Sequence, residues 1–294
     1  MDITLTGGTG LIGSAVLRSL LDHGHVVTAL VRSDRAAATV EASGAIAVRG
    51  DLLDGAWLAE ELAGAHGVIH TASPGDATSA DVDRAVAEAA VSALTGSGKR
   101  YLHTSGVWIR GSGEDITETS RLNPPGIVAW RAEIEQLVLG TEGLNGIVIE
   151  PGIVYGLGRG LPNVLMDGPR NAKGALTLIG DGSQHWVTVH VDDLAELYVL
   201  ALERGRPGER YIGASGVNPT VRELGLTLST DEEGGAGVVA EAVAATRKRL
   251  GGPLAGALLL DQQATGAKAK AELGWDPIGP TLVEELRDGS YAAG

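Results

Sequence analysis

The glycines near the start of the chain have the spacing of a phosphate-binding turn. The stretch Thr6-Gly-Gly-Thr-Gly-Leu-Ile-Gly13 follows a short apolar strand and precedes an apolar helical pattern over residues 11–21. Glycines let the backbone approach a pyrophosphate, and the helix N-terminus supplies free N–H groups and the positive end of its dipole. We therefore expect this turn to hold the pyrophosphate of a dinucleotide. The expected contacts are Gly7, Thr9, Gly10, Leu11 and Ile12.

The residues after the second predicted strand bear on the choice of dinucleotide. In folds that bind NAD, an acidic side chain about 20 residues past the glycines accepts a hydrogen bond from the ribose 2′-hydroxyl. Here the strand over residues 25–31 ends in Arg32 and Ser33. A guanidinium can fork onto a 2′-phosphate, and a serine hydroxyl can add a hydrogen bond. The pattern favours NADP over NAD; the alternative is that Arg32 is a solvated surface residue.

Polar or small residues also follow the next three predicted strands. They are Asp51 and Leu52 after the third, Thr71, Ala72 and Ser73 after the fourth, and Thr104 and Ser105 after the fifth. Asp51 could hydrogen-bond an adenine amine or cap the next helix, and Leu52 could flank the ring. Small residues at the fourth strand end would let a cofactor lie close over it. Because ligands of such sheets lie beyond the carboxyl ends of the strands, we expect Ser105 to face a substrate, or Thr104 if the register slips by one.

The candidate site residues can meet only if the strands that precede them lie in one sheet, with helices connecting the strands. Apolar stretches recur over residues 3–5, 25–31, 45–48, 67–73 and 100–103, with helical patterns between them. This alternation is typical of a parallel sheet that helices cover on both faces. We therefore predict an α/β fold, a doubly wound Rossmann-type parallel sheet, with a sixth strand over residues 144–149.

The C-terminal half lacks this rhythm and predicts a smaller lobe. We assign residues 1–160 to a dinucleotide-binding domain, to which residues 186–203 return, and residues 161–185 and 204–294 to a substrate-binding lobe. Gly180-Asp-Gly182 predicts a hairpin between two strands. Asp192 or Asp193 is expected to cap a helix over residues 194–202. A glycine-rich loop is expected at 231–237, followed by a helix over 238–250.

Composition and charge exclude several classes of function. None of the 294 residues is cysteine, so the chain has no disulfide, thiolate chemistry or zinc–cysteine site. A net charge of −14 argues against a nucleic-acid groove, which needs a basic face. We expect no metal, because no histidine or acidic set has ligand spacing. Because the first strand begins at Asp2 and no apolar run approaches ~18 residues, we expect no signal peptide and no membrane partner. We also expect a cytoplasmic protein with a small-molecule substrate, and we leave open whether it forms a homodimer.

Six motifs follow one another along nearly the whole chain. They are Thr6-Gly-Gly-Thr-Gly-Leu-Ile-Gly13, Arg49-Gly-Asp-Leu52, Thr104-Ser105-Gly106, Pro151-Gly-Ile-Val-Tyr-Gly156, His190-Val-Asp-Asp-Leu-Ala195 and Leu273-Gly-Trp275. In this order they resemble the short-chain dehydrogenases/reductases of the extended or atypical branch. This is the NAD-dependent epimerase/dehydratase-like group, which includes dihydroflavonol reductases.

The resemblance implies a nicotinamide cofactor and a set of contacts to it. It implies adenine contacts at Asp51 and Leu52 and cofactor-lining residues from Thr71 to Ser73. The strand end at Val31-Arg32 resembles that of the NADP-preferring reductases of the group. The implied backbone contacts to nicotinamide come from Pro151, Gly152, Ile153 and Val154.

The sequence departs from the family at its active site, which pairs a Ser or Thr with a Tyr-x-x-x-Lys. In the register set by Glu135-Gln-Leu-Val138, Ile127 stands at the tyrosine position and Arg131 at the lysine position. Isoleucine cannot carry a proton. Arginine can bond ribose hydroxyls but stays protonated near neutral pH. We therefore expect Arg131 to bind the nicotinamide ribose; the alternative is an i,i+4 ion pair with Glu135 on a solvated helix face.

The missing tyrosine means that the proton must come from another group. Tyr155 follows a Pro-Gly turn and is expected to face the same cavity, with a packed aromatic as the alternative, while Ser105 could polarise a carbonyl. The predicted catalytic residues are thus Ser105, Arg131 and Tyr155. The predicted function is an NADP-dependent oxidoreductase that moves hydride between nicotinamide and a carbonyl or alcohol of a small organic substrate. The alternatives are an epimerase or dehydratase with a retained cofactor, and an NADP(H)-binding sensor without turnover.

Overall fold

A computed structural model describes residues 1–229 and 236–292. The strands are β1 (Asp2–Thr6), β2 (Val26–Val31), β3 (Ile46–Arg49), β4 (Gly67–His70), β5 (Arg100–Thr104), β6 (Gly113–Ile116), β7 (Asn145–Pro151), β8 (Ile153–Gly156), β9 (Arg159–Gly160), β10 (Leu176–Thr177), β11 (Thr188–His190), β12 (Arg210–Gly213), β13 (Val238–Val239) and β14 (Gln262–Ala264). The helices are α1 (Leu11–Asp22), α2 (Asp34–Ala42), α3 (Gly55–Ala63), α4 (Ser79–Leu94), α5 (Arg131–Gly140), α6 (Pro162–Met166), α7 (Val191–Arg204), α8 (Val221–Thr227), α9 (Val243–Leu250), α10 (Gly252–Leu258), α11 (Ala267–Leu273) and α12 (Leu282–Asp288). Two short 3₁₀ helices cover Val107–Arg110 and Gly126–Val128.

The main sheet has seven parallel strands in the order β12-β7-β5-β4-β1-β2-β3. The prediction of a doubly wound α/β sheet is confirmed. The strand order reverses between β1 and β4, and the carboxyl ends of strands at such a point border a crevice in which ligands bind. The predicted division assigned residues 210–213 to the lobe, but they form the edge strand beside β7. The main sheet therefore extends past the boundary predicted at residue 204.

The side chains of this sheet alternate between two separate hydrophobic cores, one on each face. Ile3 and Leu5 of β1 are buried in a cluster with the apolar faces of α1 and α7. Val68, Tyr101 and Val148 are buried on the opposite face, with residues of α3, α4 and α5. Successive side chains of a strand point to opposite faces, so near-continuous apolar strands bury both faces of the sheet.

The C-terminal lobe has a third hydrophobic cluster, which includes Trp186, Leu224 and Leu282. The predicted hairpin at Gly180-Asp-Gly182 is wrong: β10 pairs in parallel with β13, and β11 pairs in parallel with β8. Because residues 238–239 form β13, the helix predicted from residue 238 begins only at Val243. The predicted glycine-rich loop over 231–237 lies, for residues 231–235, outside the described residues.

Two helix caps differ from those expected. The N-cap of α7 is His190, whose Nδ1 accepts a hydrogen bond from Asp192 N at 3.3 Å. Asp193 is buried instead, and its carboxylate accepts hydrogen bonds from the backbone N–H groups of residues 278 and 279. The N-cap of α3 is Asp54, not Asp51. In both cases an acidic residue that is available for capping binds a different backbone group.

Candidate active site

A cavity of about 350 Å³ opens at the carboxyl ends of β1, β4, β5 and β7. Eleven of the predicted site residues line it: Gly10, Leu11, Ile12, Thr71, Ser73, Ser105, Arg131, Pro151, Gly152, Ile153 and Val154. It also has an apolar wall that the sequence analysis did not predict, formed by Val107, Trp108, Val128 and Leu161. Residues from four strand ends thus meet at the point where the strand order reverses.

The glycine turn is built so that only glycine fits at its key positions. Gly7 has a φ of +77°, and a Cβ there would lie 2.6 Å from Ala72 N. A Cβ on Gly13 would lie 2.1 Å from Gly7 O. α1 begins directly after the turn, and its N-cap, Gly10, offers no side-chain acceptor. The first N–H groups of α1 therefore remain free for a ligand. Ala72 packs behind the turn and Thr9 is exposed, so neither lines the cavity.

The end of β2 presents a cation without a bonded partner. Arg32 is exposed and makes no hydrogen bond or ion pair within residues 1–229 and 236–292; its charge acts at longer range on Asp76, whose pKa is lowered chiefly by hydrogen bonds from Thr78 and in part by Arg32. Arg49 at the end of the neighbouring β3 is instead paired with Asp34 at 2.7 Å. The Ser33 hydroxyl caps α2 by accepting a hydrogen bond from Ala36 N at 3.2 Å, which leaves its own proton available to a ligand.

Asp51 and Leu52 lie beside this cation, because Gly50 N donates to Val31 O at 3.0 Å and holds the two strand ends together. Leu52 is buried, whereas Asp51 is exposed and accepts a hydrogen bond from Leu53 N. Neither residue lines the cavity. One carboxylate oxygen of Asp51 remains for an adenine amine.

Ser105 and Arg131 each direct an unpaired polar atom into the interior. Ser105 Oγ and Arg131 Nε are buried, and neither has a hydrogen-bond partner among the described residues. Ser105 N donates to Ile149 O at 2.8 Å, which fixes the serine beside β7. One Arg131 terminal nitrogen donates to Thr104 O at 3.3 Å, and its guanidinium lies 4.9 Å from the centre of the Trp130 ring. Unpaired buried polar atoms at a cavity wall are sites for a ligand.

Thr104, the alternative hydroxyl, points away from the cavity. Its Oγ1 donates to His70 O at 2.5 Å and lies 2.6 Å from the Tyr198 hydroxyl, and Tyr198 is buried. Side chains alternate along a strand, so Thr104 and Ser105 face opposite sides of the sheet. The structure therefore places Ser105, not Thr104, at the cavity.

Tyr155 does not meet Ser105 and Arg131. Its hydroxyl donates to Pro280 O at 2.7 Å, its ring packs edge-on against His190, and burial raises the pKa of Tyr155 well above its ordinary value. Tyr155 belongs to the hydrophobic cluster of the C-terminal lobe and does not line the cavity. The expectation that it faces the cavity is therefore wrong. Ile127 does not line the cavity either; its neighbour Val128 does.

Four charged residues, three of them buried and Arg210 half-buried, form a group behind Ser105 that sequence reasoning missed, and we call it the glutamate–arginine cluster. Arg110 donates to both carboxylate oxygens of Glu150, at 2.5 and 2.9 Å. Arg210 lies 3.3 Å from Glu150 and 3.3 Å from Glu135. Burial raises the pKa of both carboxyls, that of Glu150 to about 7. Glu135 is thus buried and paired with Arg210, so the alternative of a solvated ion pair between Arg131 and Glu135 is wrong.

A second buried group, which we call the aspartate–histidine cluster, lies under β4 and β5. Asp83 of α4 lies 3.1 Å from His70 Nε2 and 3.6 Å from His103 Nε2. His70 shares a hydrogen bond with Thr6 at 2.7 Å, and His103 shares one with Tyr101 at 2.9 Å. Burial raises the pKa of Asp83, but the two imidazoles beside it, of which His70 is within hydrogen-bond distance, outweigh burial and hold that pKa far below its usual range. None of these residues lines the cavity.

The described residues contain neither a metal centre nor a membrane-spanning helix. In the described ranges, no group of three or more His, Asp or Glu side chains is arranged to hold a metal ion. Among the helices that the structure describes, none has the length and apolar character needed to cross a membrane.

The parallel sheet, the glycine turn and the cavity at the reversal of strand order define a dinucleotide-binding protein of the Rossmann type. Residues 3–213 match the model of the NAD dependent epimerase/dehydratase family. The chain belongs to this family, which confirms the resemblance seen in its motifs. Family members use a nicotinamide cofactor and include reductases, dehydratases and epimerases.

Relatives and solved structures resemble the chain over most of its length. An uncharacterized protein of Schizosaccharomyces pombe is 30% identical over 298 residues, which covers 99% of this chain and 100% of that one. The 4-hydroxy-2-methyl-3-oxo-4-farnesyl-3,4-dihydroquinoline-1-oxide ketoreductase of Stigmatella aurantiaca is 30% identical, over 78% of this chain and 72% of its own. The dTDP-glucose 4,6-dehydratase of Streptomyces venezuelae, solved with NAD bound, is 26% identical with a TM-score of 0.74, over 99% of this chain and 96% of that one.

Proposed function

We propose that this protein is an NADP-dependent oxidoreductase that transfers hydride between nicotinamide and a carbonyl or alcohol of a small organic substrate. One observation carries the proposal: a single cavity joins the free N–H groups of the glycine turn to the unpaired polar atoms of Ser105 and Arg131. The first feature suits a diphosphate, and the other two suit a ribose and a reacting oxygen.

The residues present fit a nicotinamide dinucleotide. The N-terminus of α1 would hold the pyrophosphate, Asp51 and Leu52 the adenine, and Arg131 the nicotinamide ribose. The backbone of residues 151–154 and the small residues 71–73 would flank the rest of the cofactor. The bound cofactor would supply or accept the hydride.

NADP is favoured over NAD by the contrast between two arginines at adjacent strand ends. Arg49 is already ion-paired with a carboxylate, whereas Arg32 makes no ion pair among the described residues and interacts with Asp76 only at longer range. A 2′-phosphate would give Arg32 a doubly charged partner, and Ser33 could donate a further hydrogen bond to it.

The lining of the cavity favours an uncharged, largely apolar carbonyl compound. Val107, Trp108 and Val128 form its wall, and Arg131 is the one charged residue among the described residues that line it. A nucleotide-sugar would bring two more phosphates, which need cations or free N–H groups of their own. This favours a reductase over an epimerase or dehydratase. The ketoreductase of Stigmatella aurantiaca and the vestitone reductase of Medicago sativa, which is 27% identical, agree with that reaction type.

Ser105 and Arg131 would have separate roles in the reaction. The Ser105 hydroxyl would donate a hydrogen bond to the carbonyl oxygen of the substrate and so stabilise the negative charge that develops there. Arg131 would bond the ribose hydroxyls and add positive charge beside the reacting centre. The apolar wall would exclude bulk water, which strengthens both interactions.

Calorimetry with NADPH and NADH tests the cofactor assignment. We expect heat with both cofactors and tighter binding of NADPH. Arg32→Ala should weaken NADPH about 10–100-fold, the size of a lost charged hydrogen bond, and leave NADH nearly unchanged. Arg247→Ala is the matched control, because Arg247 is an exposed arginine of α9 that does not line the cavity. Absence of heat with either cofactor would overturn the proposed function, and equal losses for both cofactors would overturn the preference for NADP.

Consumption of NADPH over a panel of aldehydes and ketones tests the reaction. Ser105→Ala should bind NADPH normally but lose turnover. One observation favours the sensor instead: no tyrosine lines the cavity among the described residues. Binding of NADPH with no turnover of any substrate would therefore support a sensor without catalysis.

A further inference from the structure

Glu135 is a buried carboxyl with one oxygen left free beside Ser105. Glu135 is fully buried, and its Oε1 has no hydrogen-bond partner among the described residues. Ser105 Oγ is also buried without a hydrogen-bond partner among the described residues, and Ser105 lines the cavity. The hydroxyl is close enough to the carboxyl to be one of the groups that oppose the effect of burial on the pKa of Glu135. The two unpaired atoms are therefore neighbours, and each is an available hydrogen-bond partner for the other.

The charged groups around Glu135 come from three other elements. Arg210 of β12 approaches Glu135 Oε2 at 3.3 Å, and its second contact is Glu150 at 3.3 Å. Glu150 of β7 and Arg110 of the first 3₁₀ helix complete the cluster. Arg110 donates hydrogen bonds to both oxygens of Glu150, whereas Glu135 has only the longer contact with Arg210. Glu150 is therefore the better paired carboxylate. Two carboxyls that share Arg210 titrate as one unit, and burial with mutual repulsion favours a proton on that unit.

We propose that Glu135 supplies the proton for carbonyl reduction through the Ser105 hydroxyl, in place of the tyrosine that is missing at position 127. This inference rests on the proposed function. In the reductive direction a bound reduced nicotinamide would supply the hydride for the new C–H bond at the carbonyl carbon, which forms as the C=O π bond breaks. The substrate oxygen takes the Ser105 hydroxyl proton, and Ser105 takes the proton of the Glu135 carboxyl.

The surroundings of Glu135 suit this proton transfer in both directions. The carboxylate left after the transfer faces Arg210, whose charge stabilises it. Water that enters the cavity when the product leaves can return a proton through the same hydroxyl, because Ser105 is the cavity-lining neighbour of Glu135. Glu135 is therefore a positioning residue that acts through Ser105, and Ser105 is the catalytic residue that touches the substrate.

Infrared titration of the free protein tests the proton on Glu135 without any turnover. We expect the C=O band of a buried protonated carboxyl near neutral pH. Glu135→Gln should remove or strongly shift this band, and Ser105→Ala should raise its titration midpoint, because the hydroxyl no longer favours the carboxylate. Glu133→Gln is the matched control on the same helix, since Glu133 is exposed and pairs with Arg84 at 3.0 Å; it should leave the band unchanged.

Reduction of 4-nitrobenzaldehyde by NADPH tests the transfer itself. Glu135→Gln should lower kcat at least about 100-fold, the usual contribution of a general acid, while KM changes less than about twofold. Its remaining rate should lose the pH dependence of the wild type. Glu135→Asp should restore part of kcat, and Glu133→Gln should behave as wild type.

The outcomes separate this inference from the proposed function. If the wild type shows no buried protonated carboxyl, or if neither Glu135→Gln nor Ser105→Ala alters its band, the inference is wrong even when NADPH binds. The same holds if Glu135→Gln keeps the wild-type kcat and pH profile. Failure of NADPH and NADH to bind would instead overturn the proposed function, and the infrared result would still decide whether Glu135 holds a proton.

Discussion

Two buried clusters of charged residues lie on the same face of the sheet, and only one of them reaches the cavity. In the aspartate–histidine cluster the carboxylate of Asp83 faces an imidazole on each side, and each imidazole has a hydroxyl partner in turn. In the glutamate–arginine cluster two carboxyls share two arginines, and Glu135 retains an oxygen that faces Ser105. We call the first cluster closed because none of its residues lines the cavity, and the second open because Ser105 links it to the cavity.

The same burial has opposite consequences in the two places. The two neighbouring histidines overcome the desolvation of Asp83 and lower its pKa, so the carboxylate stays ionised. Burial raises the pKa values of Glu135 and Glu150, and the neighbouring arginines do not offset it; repulsion from Glu135 adds to the rise at Glu150. A buried carboxyl can therefore stabilise the fold as a carboxylate or hold a proton, depending on whether its partners outweigh the desolvation.

The largest expected effect comes from breaking the closed cluster with Asp83→Asn. Removing the charge leaves two buried histidines short of their partner and should lower the free energy of unfolding by about 3 kcal/mol. The native pKa of Asp83 is depressed, so its contribution is present above the unfolded value of about 3.9 and is lost as pH falls. Urea titrations should therefore show a deficit that is full at neutral pH and shrinks below about pH 4.

Asp81→Asn is the control for this prediction, because Asp81 is exposed on the same helix. It should change the free energy of unfolding by less than about 0.5 kcal/mol. NADPH affinity should be unchanged in both variants, since neither residue lines the cavity. A pH-independent deficit in Asp83→Asn would contradict an ionised, histidine-paired carboxylate.

For the glutamate–arginine cluster, the free energy of unfolding should change with pH in the opposite direction. The native pKa of Glu150 is raised to about 7, so the unfolded chain ionises first. The free energy of unfolding should therefore fall as pH rises from about 4.5 to about 7. Because Glu135 and Glu150 titrate as one unit, that fall belongs to the pair; it amounts to about 3 kcal/mol, and Glu150→Gln should reduce it. Urea titrations of both proteins at several pH values give the difference, and parallel curves would show that Glu150 ionises normally in the fold.

Arg131 lines the cavity, and its variants test how the cavity binds the cofactor. Its charge is one of the groups that lower the pKa of His103, and its Nε is unpaired among the described residues. Arg131→Met should weaken NADPH about tenfold, because the ribose loses a charged donor. Arg131→Lys should recover part of that loss. Calorimetry measures both, and equal affinity in the wild type and the methionine variant would place the ribose elsewhere.

The sequence predicted those parts of the fold and site that local pattern determines. The strand, glycine turn and helix over residues 2–22 follow one another without a gap, so the turn chemistry could be recognised directly. Ser105 could be placed because it directly follows a strand, at an edge where ligands bind. The pairing of β10 with β13 joins segments about 60 residues apart, and no local signal distinguished it from the predicted hairpin.

The glutamate–arginine cluster was missed because its members come from four separate segments of the chain. Arg110, Glu135, Glu150 and Arg210 meet only once β12 has taken its place beside β7. A weak signal exists, since Glu150 ends the apolar run Gly146-Ile-Val-Ile149 and Arg110 ends Val107-Trp-Ile109. A charge in such a run predicts a buried ion pair, but it does not identify the partner.

Tyr155→Phe has the smallest expected effect and tests the assignment that the structure overturned. The Tyr155 hydroxyl donates to Pro280 O at 2.7 Å within the C-terminal lobe. Its loss should lower the free energy of unfolding by about 1 kcal/mol, the net value of one hydrogen bond. Because the ring points away from Ser105 and Arg131, the rate of NADPH consumption and its pH profile should match the wild type within about twofold. A loss of kcat comparable to that of Ser105→Ala, with the free energy of unfolding unchanged, would restore Tyr155 as the proton donor and remove the need for Glu135 in that role.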